Sequence, residues 1–158
     1  MAILAKRFME EGRLNKNILI PTIMSNMGLF KFAEENGISC YPTKVGDRYV
    51  LETMKELGAN LGGEQSGHII IKKYATTGDG ILTALMLTEE ICDSKLSLSE
   101  LVAPVKLYPQ FTKNIRVKDK PSVLNDKMVL ESKAEVEKLI AGKGRVLLRQ
   151  SGTEPVIR

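Results

Sequence analysis

The chain has 158 residues, of which 43% are hydrophobic and 27% are charged, and its net charge is +4. This composition is that of a globular protein able to bury a substantial core, so intrinsic disorder and fibrous folds are excluded. No segment reaches the roughly 18 apolar residues that a membrane-spanning helix needs, so we expect no membrane partner. The N-terminus has no secretion-type apolar core, and the two cysteines lack metal-type spacing. We therefore expect a reduced, cytoplasmic chain.

The positive charge is concentrated in the C-terminal part of the chain. Residues 1–92 carry a net charge of −1, and residues 93–158 carry a net charge of +5. Aromatic residues make up only 5%, too few to favour nucleic-acid binding through base stacking, so we expect no nucleic-acid partner. A small phosphorylated ligand needs only a few positive charges, although a solvated lysine-rich surface explains the same distribution.

Short apolar segments alternate with longer amphipathic segments over the first two thirds of the chain. The short segments are predicted to be buried strands at residues 18–20, 38–41 and 69–71. Pro21 cannot donate a hydrogen bond to a ladder, so the first strand ends there or lies at a sheet edge. Strands that alternate with helices predict βαβ units and a mostly parallel sheet.

Helices are predicted between these strands from their caps and glycine stops. The first begins at a Ser25 cap and ends at Gly37. The second begins at Asp47 and ends at Gly58. Its apolar residues recur at helical spacing and are Val50, Leu51, Met54 and Leu57.

A third helix is predicted to begin at Thr77 or Asp79. Its wide buried face is expected to contain four apolar residues, namely Ile81, Leu82, Leu85 and Met86. Ser97 and Glu100 then predict a capping box on a short helix. A linker is predicted at residues 104–109.

The pattern beyond the linker predicts a strand at residues 115–117, a helix, and a second strand at residues 145–149. Ser132 and Glu135 predict a capping box for the helix, and its apolar stripe and glycine stop are Val136, Leu139, Ile140 and Gly142. A further strand is predicted to start at Val156 and Ile157, at the very end of the chain. The sheet predicted for this part of the chain is so small that one of its faces is left uncovered. We therefore expect this domain to be truncated.

The predicted fold is therefore α/β: a mostly parallel βαβ sheet domain followed by a small, truncated α+β domain. We assign residues 15–105 to the first of these domains and residues 106–158 to the second. Residues 1–14 are expected to be the tail end of a preceding domain or a linker.

A glycine-rich segment at residues 62–68 directly precedes a predicted buried strand. Glycines allow a tight turn and a close approach of the backbone to a ligand. Glu64 can accept hydrogen bonds from vicinal hydroxyls, and Ser66 can donate or accept them, which suits a sugar ring. His68 is the only histidine and is a candidate proton carrier near neutral pH. A plain glycine turn with a surface histidine explains the same residues.

A second polar loop, at residues 149–155, follows a predicted strand. It offers one guanidinium, two hydroxyls and the backbone N–H groups around Gly152, which together suit a phosphate. Arg158 adds a second positive charge, whereas Glu154 either opposes anion binding or orders the loop. A turn that only connects two strands is the alternative interpretation.

Two weaker features complete the set of candidates. Lys44 and Arg48 lie near the predicted N-terminus of the second helix, where anions are favoured, although a salt-bridged helix start explains them equally well. Asp47 and Asp79 alone do not make a magnesium site. We therefore predict no metal ligand in this chain.

The two polar loops, in this order, resemble those of the α-D-phosphohexomutase superfamily. Residues 63–67 resemble the sugar-binding loop of its third domain, and residues 149–155 resemble the phosphate-binding loop of its fourth domain. Residues 43–48 and 75–80, together with Gln65 and His68, resemble the phosphoglucosamine mutase branch of the superfamily. The resemblance covers essentially the whole chain.

The resemblance implies a mutase that interconverts glucosamine 6-phosphate and glucosamine 1-phosphate through a phosphoserine and a bisphosphorylated sugar. It also implies a magnesium cofactor on an aspartate-rich loop of another domain. Neither the serine loop nor the metal loop of the superfamily is found in this sequence. We therefore expect the N-terminal domains of the same enzyme as partners, and no activity from this chain alone.

Residue roles follow from the same resemblance. Glu64 and Ser66 are expected to bind the hydroxyls of a hexosamine phosphate, and His68 and Lys44 to have auxiliary catalytic roles. The phosphate that is not being transferred is expected to contact Arg149, Ser151, Gly152, Thr153 and Arg158. The two loops, on separate lobes, are thus expected to bind opposite ends of one sugar. The alternatives are a fragment of a phosphomannomutase or phosphoglucomutase and a non-catalytic sugar-phosphate binding module.

Overall fold

The computed structural model describes all 158 residues, which form two compact units. Unit 1 comprises Met1–Tyr108 and unit 2 comprises Pro109–Arg158. None of the helices is both long and apolar enough to cross a bilayer. The assignment of the two parts of the chain to the third and fourth domains of the superfamily stays a prediction.

A four-stranded sheet forms the centre of unit 1. Strand β1 (Ile18–Pro21) lies between β2 (Ser39–Cys40) and β3 (Leu61–Gly63) and is parallel to both. Strand β4 (Ile69–Ile71) pairs with β3 in the antiparallel direction, which gives the order β2–β1–β3–β4. The predicted mostly parallel α/β sheet is confirmed, and Pro21 marks the end of an inner strand rather than a sheet edge.

Five helices accompany this sheet in unit 1. They are α1 (Ala2–Glu10), α2 (Met27–Glu35), α3 (Asp47–Leu57), α4 (Gly80–Ser94) and α5 (Leu98–Val102). A one-turn 3₁₀ segment, Asn15–Asn17, leads into β1. The sheet has α3 on one face and residues of α1, α2 and α4 on the other, so unit 1 has three layers.

The core follows from the alternation of side chains along the strands. On β1, Leu19 belongs to the cluster with α1, α2 and α4, whereas Ile20 belongs to the cluster under α3. Val50 and Met54 of α3 are fully buried against this second face. The predicted apolar stripe and the Gly58 stop of this helix are therefore confirmed, with Gly58 in the left-handed conformation at φ +73°.

The start of α2 differs from the prediction. Asn26, not Ser25, caps the helix, because the Asn26 side chain accepts the N–H of Gly28 at 2.9 Å. Ser25 is instead buried one residue earlier. The predicted end is confirmed, since Gly37 follows the helix at φ +70°.

The buried face predicted for α4 is only partly correct. Asp79 caps this helix by accepting the N–H of Leu82 at 2.9 Å. Met86 is buried, but Ile81 is 78% exposed and Leu85 is 63% exposed. The contacts of α4 with α1 and β4 fix its rotation, and they turn these two residues towards solvent.

Residues 1–14 belong to unit 1, and most of them form α1. Within α1, Leu4, Ala5 and Phe8 are buried in the first core cluster. Arg7 of the same helix is only 5% exposed and pairs with carboxylates of α4, including that of Asp93 at 2.8 Å. Helix α1 is thus joined to α4 by apolar packing and by ion pairs.

Unit 2 contains two short strands and two helices. In chain order they are β5 (Ile115–Arg116), α6 (Lys120–Leu124), α7 (Lys127–Leu139) and β6 (Val156–Ile157). The two strands pair in the antiparallel direction. A small α+β arrangement was predicted for this part of the chain, and the structure shows one.

Two details of unit 2 differ from the prediction. Asp126 caps α7 by accepting the N–H groups of Met128 and Val129, so Ser132 lies inside the helix rather than at its start. Residues 145–149 form no strand, because no ladder partner pairs with residues 145–148.

Candidate functional site

The segment predicted to be a glycine loop is part strand and part turn. Gly62 and Gly63 belong to β3, and the turn to β4 is confined to residues 64–68. The turn is closed by the N–H of Glu64, which donates to the carbonyl of His68 at 2.9 Å. Gly67 adopts φ +95° within it, a conformation that favours glycine.

Gly62 is required by packing rather than by a turn. A Cβ atom at this position would lie 2.7 Å from Val50 Cγ1, 2.8 Å from the Ile20 carbonyl oxygen and 2.9 Å from Met54 Sδ. Gly62 thus lets α3 pack directly on the sheet. The sequence pattern missed β3 because two glycines carry no strand signal.

The turn lies at the carboxyl ends of the three parallel strands. Ligands of open α/β sheets bind in this region, because the loops that leave parallel strands meet there. Thr22, directly after β1, forms an isolated parallel bridge with Thr43, which lies three residues beyond the end of β2. The hydroxyl of Thr22 is buried and donates to Gln65 Oε1 at 3.2 Å.

Glu64 is held by the neighbouring loop. Its Oε2 atom accepts the N–H of Gly46 at 3.0 Å, and Gly46 directly precedes α3. Gly46 has φ +130°, which a side-chain-bearing residue rarely adopts. This hydrogen bond fixes the Glu64 carboxylate while leaving most of its lone pairs for a ligand.

The other predicted residues of unit 1 surround the same turn. Ser66 is exposed at its tip. His68 is half-exposed, and its Nε2 lies 3.8 Å from the Asp47 carboxylate. The His68 ring lies against Gly78, where a Cβ atom would be 2.3 Å from the ring. Lys44 is exposed on the loop that also holds Gly46, and its ammonium forms no ion pair.

The predicted phosphate loop of unit 2 is a compact turn. The backbones of Arg149 and Arg158 exchange two hydrogen bonds of 2.9 and 2.7 Å, which bring the two ends of the loop together. Ser151 is 3% exposed, and its Oγ accepts the N–H of Glu154 at 3.2 Å. Its hydroxyl therefore helps to order the loop, and the direct contact with a ligand expected from the sequence stays a prediction.

The remaining groups of this loop face solvent or one another. Gly152 and Thr153 are exposed, and their N–H groups donate no hydrogen bond within the protein. The guanidinium of Arg149 forms no ion pair, whereas Arg158 pairs with Glu154. Glu154 thus neutralises Arg158 in the free chain, so Arg149 is the available cation.

Sequence reasoning missed three residues that hold these loops. They are Thr22 and Gly46, which bind the turn of unit 1, and Lys120, whose ammonium donates to two carbonyls of the unit 2 loop. Gly46 stands directly before a predicted helix and was detectable in principle. The contacts of Thr22 and Lys120 span more than 30 residues, and no local pattern encodes them.

The residues present do not fit a magnesium site. No group of three or more His, Cys, Asp or Glu side chains lies close enough together to hold a metal ion. No chemical step is therefore assigned to a metal ligand of this chain.

Each of the two units matches the model of a different domain of one protein family. Residues 1–108 match the model of phosphoglucomutase/phosphomannomutase alpha/beta/alpha domain III, and residues 113–158 match the C-terminal domain model of the same proteins. The chain belongs to the phosphoglucomutase/phosphomannomutase family. The resemblance noted in the two loops is thereby confirmed.

Individual relatives carry a more specific name. The chain is 49% identical over 158 residues to a phosphoglucosamine mutase of Desulforamulus reducens and 54% identical over 160 residues to one of Caldicellulosiruptor saccharolyticus. In both cases the match covers 100% of this chain and 36% of the relative. The chain thus spans about a third of the length of these curated relatives.

Solved structures of the family share the fold. The crystal structure of Aspergillus fumigatus N-acetylphosphoglucosamine mutase, in complex with GlcNAc-6P and magnesium, superimposes with a TM-score of 0.77 at 17% identity. The match covers 99% of this chain and 41% of the fungal chain. At this identity the likeness is one of fold.

Proposed function

We propose that the chain forms the sugar-binding and phosphate-binding part of a phosphoglucosamine mutase, an isomerase that interconverts glucosamine 6-phosphate and glucosamine 1-phosphate. The observation that carries the proposal is the exposed turn bearing Glu64 and Ser66, which is fixed at the carboxyl ends of three parallel strands. The names of relatives that match the whole chain supply the substrate class.

In this proposal the turn of unit 1 binds the sugar hydroxyls. Gly46 holds one oxygen of the Glu64 carboxylate, so the other oxygen is presented to a hydroxyl in a fixed direction. A carboxylate acceptor gives a charge-assisted hydrogen bond, which is stronger than a neutral one. Ser66 adds a hydroxyl that can donate or accept, which suits a sugar that binds in two orientations.

The loop of unit 2 binds the phosphate that is not being transferred. Arg149 supplies a guanidinium that can grip two phosphate oxygens, and Gly152 and Thr153 supply backbone N–H groups. Thr153 also adds a hydroxyl. Arg158 contributes once the phosphate competes with Glu154 for its guanidinium. Ser151 shapes the loop through its hydrogen bond to Glu154.

The chemistry of the whole enzyme requires parts that this chain does not supply. The phosphoryl group passes between a phosphoserine and the sugar through a bisphosphate, and the serine and the magnesium site belong to the N-terminal domains. Such transfer depends mainly on positioning and charge stabilisation. Lys44 and His68 are assigned auxiliary roles near the transferring phosphate. The chain alone is therefore expected to have no mutase activity.

A binding experiment tests the role of Arg149. Glucosamine 6-phosphate is titrated into the 158-residue chain and into Arg149→Ala, and the heat of binding is measured. Loss of a bidentate guanidinium contact is expected to weaken binding by about tenfold or more. Arg116→Ala is the matched control, because Arg116 is an exposed arginine of the same unit. Equal affinities of the two variants would contradict the assignment.

A mutase assay tests the expected inactivity. The purified chain is incubated with glucosamine 6-phosphate and a trace of the bisphosphate, and glucosamine 1-phosphate is measured. No turnover above background is expected, and any turnover that scales with chain concentration would refute this part of the proposal.

A phosphomannomutase or phosphoglucomutase is the second candidate, because the matching family models carry those names. Glu64 and Ser66 do not by themselves distinguish an amine from a hydroxyl on the second carbon of the sugar. A full-length enzyme that contains this chain should turn over glucosamine phosphate with a higher kcat/KM than mannose or glucose phosphate. The reverse order would favour the second candidate.

A further inference from the structure

The side chain of Lys120 contacts two backbone carbonyls within the unit 2 loop. It is the first residue of α6, and its ammonium donates to the Ser151 carbonyl at 2.8 Å and to the Glu154 carbonyl at 3.2 Å. These carbonyls lie 31 and 34 residues further along the chain. A single ammonium thus bridges both sides of the turn that contains Gly152 and Thr153.

This bridge determines where the Gly152 N–H points. The chain has no cis peptide bond, so the carbonyl of Ser151 and the N–H of Gly152 lie on opposite sides of one planar peptide group. Because the Ser151 carbonyl is directed at Lys120, the Gly152 N–H is directed away from it. The exposure of Gly152 and the absence of an internal partner for this N–H agree with an outward direction.

Other contacts make the loop a closed unit around this peptide group. The Ser151 N–H donates to the Val156 carbonyl at 3.0 Å, and the Ser151 hydroxyl accepts the Glu154 N–H at 3.2 Å. The side chain of Ser151 is therefore engaged on the inside of the turn, next to its carbonyl. Without Lys120, the carbonyls of Ser151 and Glu154 lose the ammonium that holds them on the same side.

We propose that Lys120 is a positioning residue for the phosphate loop: it fixes the Ser151–Gly152 peptide group so that the Gly152 N–H meets the anion. The proposal rests on the proposed function, because it takes the loop to be a phosphate site. Lys120 acts through the backbone and does not itself contact the phosphate. Its effect therefore differs from that of a general positive charge.

Lys118 provides the matched control. It lies two residues before Lys120, is exposed, and forms neither a hydrogen bond nor an ion pair through its side chain. Lys118→Met and Lys120→Met remove the same charge and leave a similar apolar stem. Only Lys120→Met also removes the two carbonyl contacts.

Two measurements on the full 158-residue chain test the proposal. Amide exchange at Glu154 reports the order of the loop without any ligand. Titration with inorganic phosphate, followed through the amide resonances of Gly152 and Thr153, reports anion affinity. We expect Lys120→Met to speed Glu154 exchange and to weaken phosphate binding by about tenfold. Lys118→Met should change the affinity by less than about twofold, because exposed charges are screened.

A conservative variant shows whether the effect of Lys120→Met comes from losing the two carbonyl contacts or from a general loss of folding. Lys120→Arg keeps a cationic donor for the two carbonyls and should retain slow Glu154 exchange and most of the affinity. If Lys120→Met and Lys118→Met weaken phosphate binding equally and Glu154 exchange is unchanged, Lys120 acts by charge alone and the proposal is wrong. If the unmodified chain binds no phosphate, the proposed function of the loop fails, and the exchange data alone decide whether Lys120 orders it.

Discussion

The substitution Gly62→Ala tests how tightly α3 packs on the sheet. The added Cβ would lie 2.7 Å from Val50 Cγ1 and 2.9 Å from Met54 Sδ, which are side-chain atoms able to shift. It would also lie 2.8 Å from the Ile20 carbonyl oxygen, a backbone atom of β1 that cannot move without disturbing the sheet. Overpacking of this kind costs about 1–3 kcal/mol, and we expect a value near the upper end.

Urea denaturation followed by tyrosine fluorescence measures this cost. All four tyrosines lie in unit 1 and the chain has no tryptophan, so the signal reports unit 1 alone. Gly80→Ala is the control, because nothing lies within 4 Å of a Cβ at that position. It should leave stability unchanged or raise it by up to about 1 kcal/mol. A Gly62→Ala variant as stable as the unmodified chain would refute the close packing of α3 on β3.

Three further predictions concern the cysteines, a helix cap and a buried ion pair. Burial raises the pKa of the Cys40 thiol to about 11, whereas Cys92 is exposed. At pH 8 a thiol reagent should therefore modify Cys92 well before Cys40, and equal rates of modification would contradict this. Asp79→Ala should destabilise unit 1 by about 1 kcal/mol through loss of the α4 cap, whereas Asp79→Asn should preserve it, as urea unfolding will show. Arg7→Met should cost about 1–2 kcal/mol, because the carboxylates that lose the guanidinium are themselves 15–65% exposed and can be solvated by water. The hydrogen bond from Arg7 lowers the pKa of Glu11, so this stabilisation exists near neutral pH and is lost as the pH falls through that lowered pKa; Arg7→Met should flatten the acid limb of stability against pH.

The positions of most elements in unit 1 were predictable because they depend on neighbouring residues. The helical spacing of Val50 and Met54, the stop at Gly58 and the apolar strand at residues 69–71 are all local signals. The observed cap of α2, Asn26, lies one residue after the predicted cap, Ser25, which shows how precisely such local signals place a helix end. Local patterns are reliable where hydrogen bonds run between residues close in the chain.

Unit 2 was less predictable, because its elements are short and few of them pair. The strand expected at residues 145–149 is absent, and α7 begins more than a turn before its expected capping box. Apolar residues favour a strand only when a neighbouring strand satisfies their backbone groups. No residue near positions 145–148 signals whether such a neighbour exists.

The two candidate loops were predictable from the sequence, but the contacts that hold each loop were not. Glu64, Ser66 and Arg149 were selected because carboxylate, hydroxyl and guanidinium groups beside glycines suit a phosphorylated sugar. The residues that hold those groups were not selected, because Thr22 and Lys120 reach their partners across 43 and 31 residues. Their roles exist only after the chain has folded.

By itself, the sequence determined the α/β class, the order of most elements of unit 1 and the positions of the two candidate loops, because each depends on residues close together in the chain. Only the tertiary structure decided that Gly62 lies under α3, that Gly46 holds Glu64 and that Lys120 donates to two carbonyls of the unit 2 loop. These features depend on contacts between segments that are far apart in the sequence. Local patterns of residues do not specify which distant segments will come into contact.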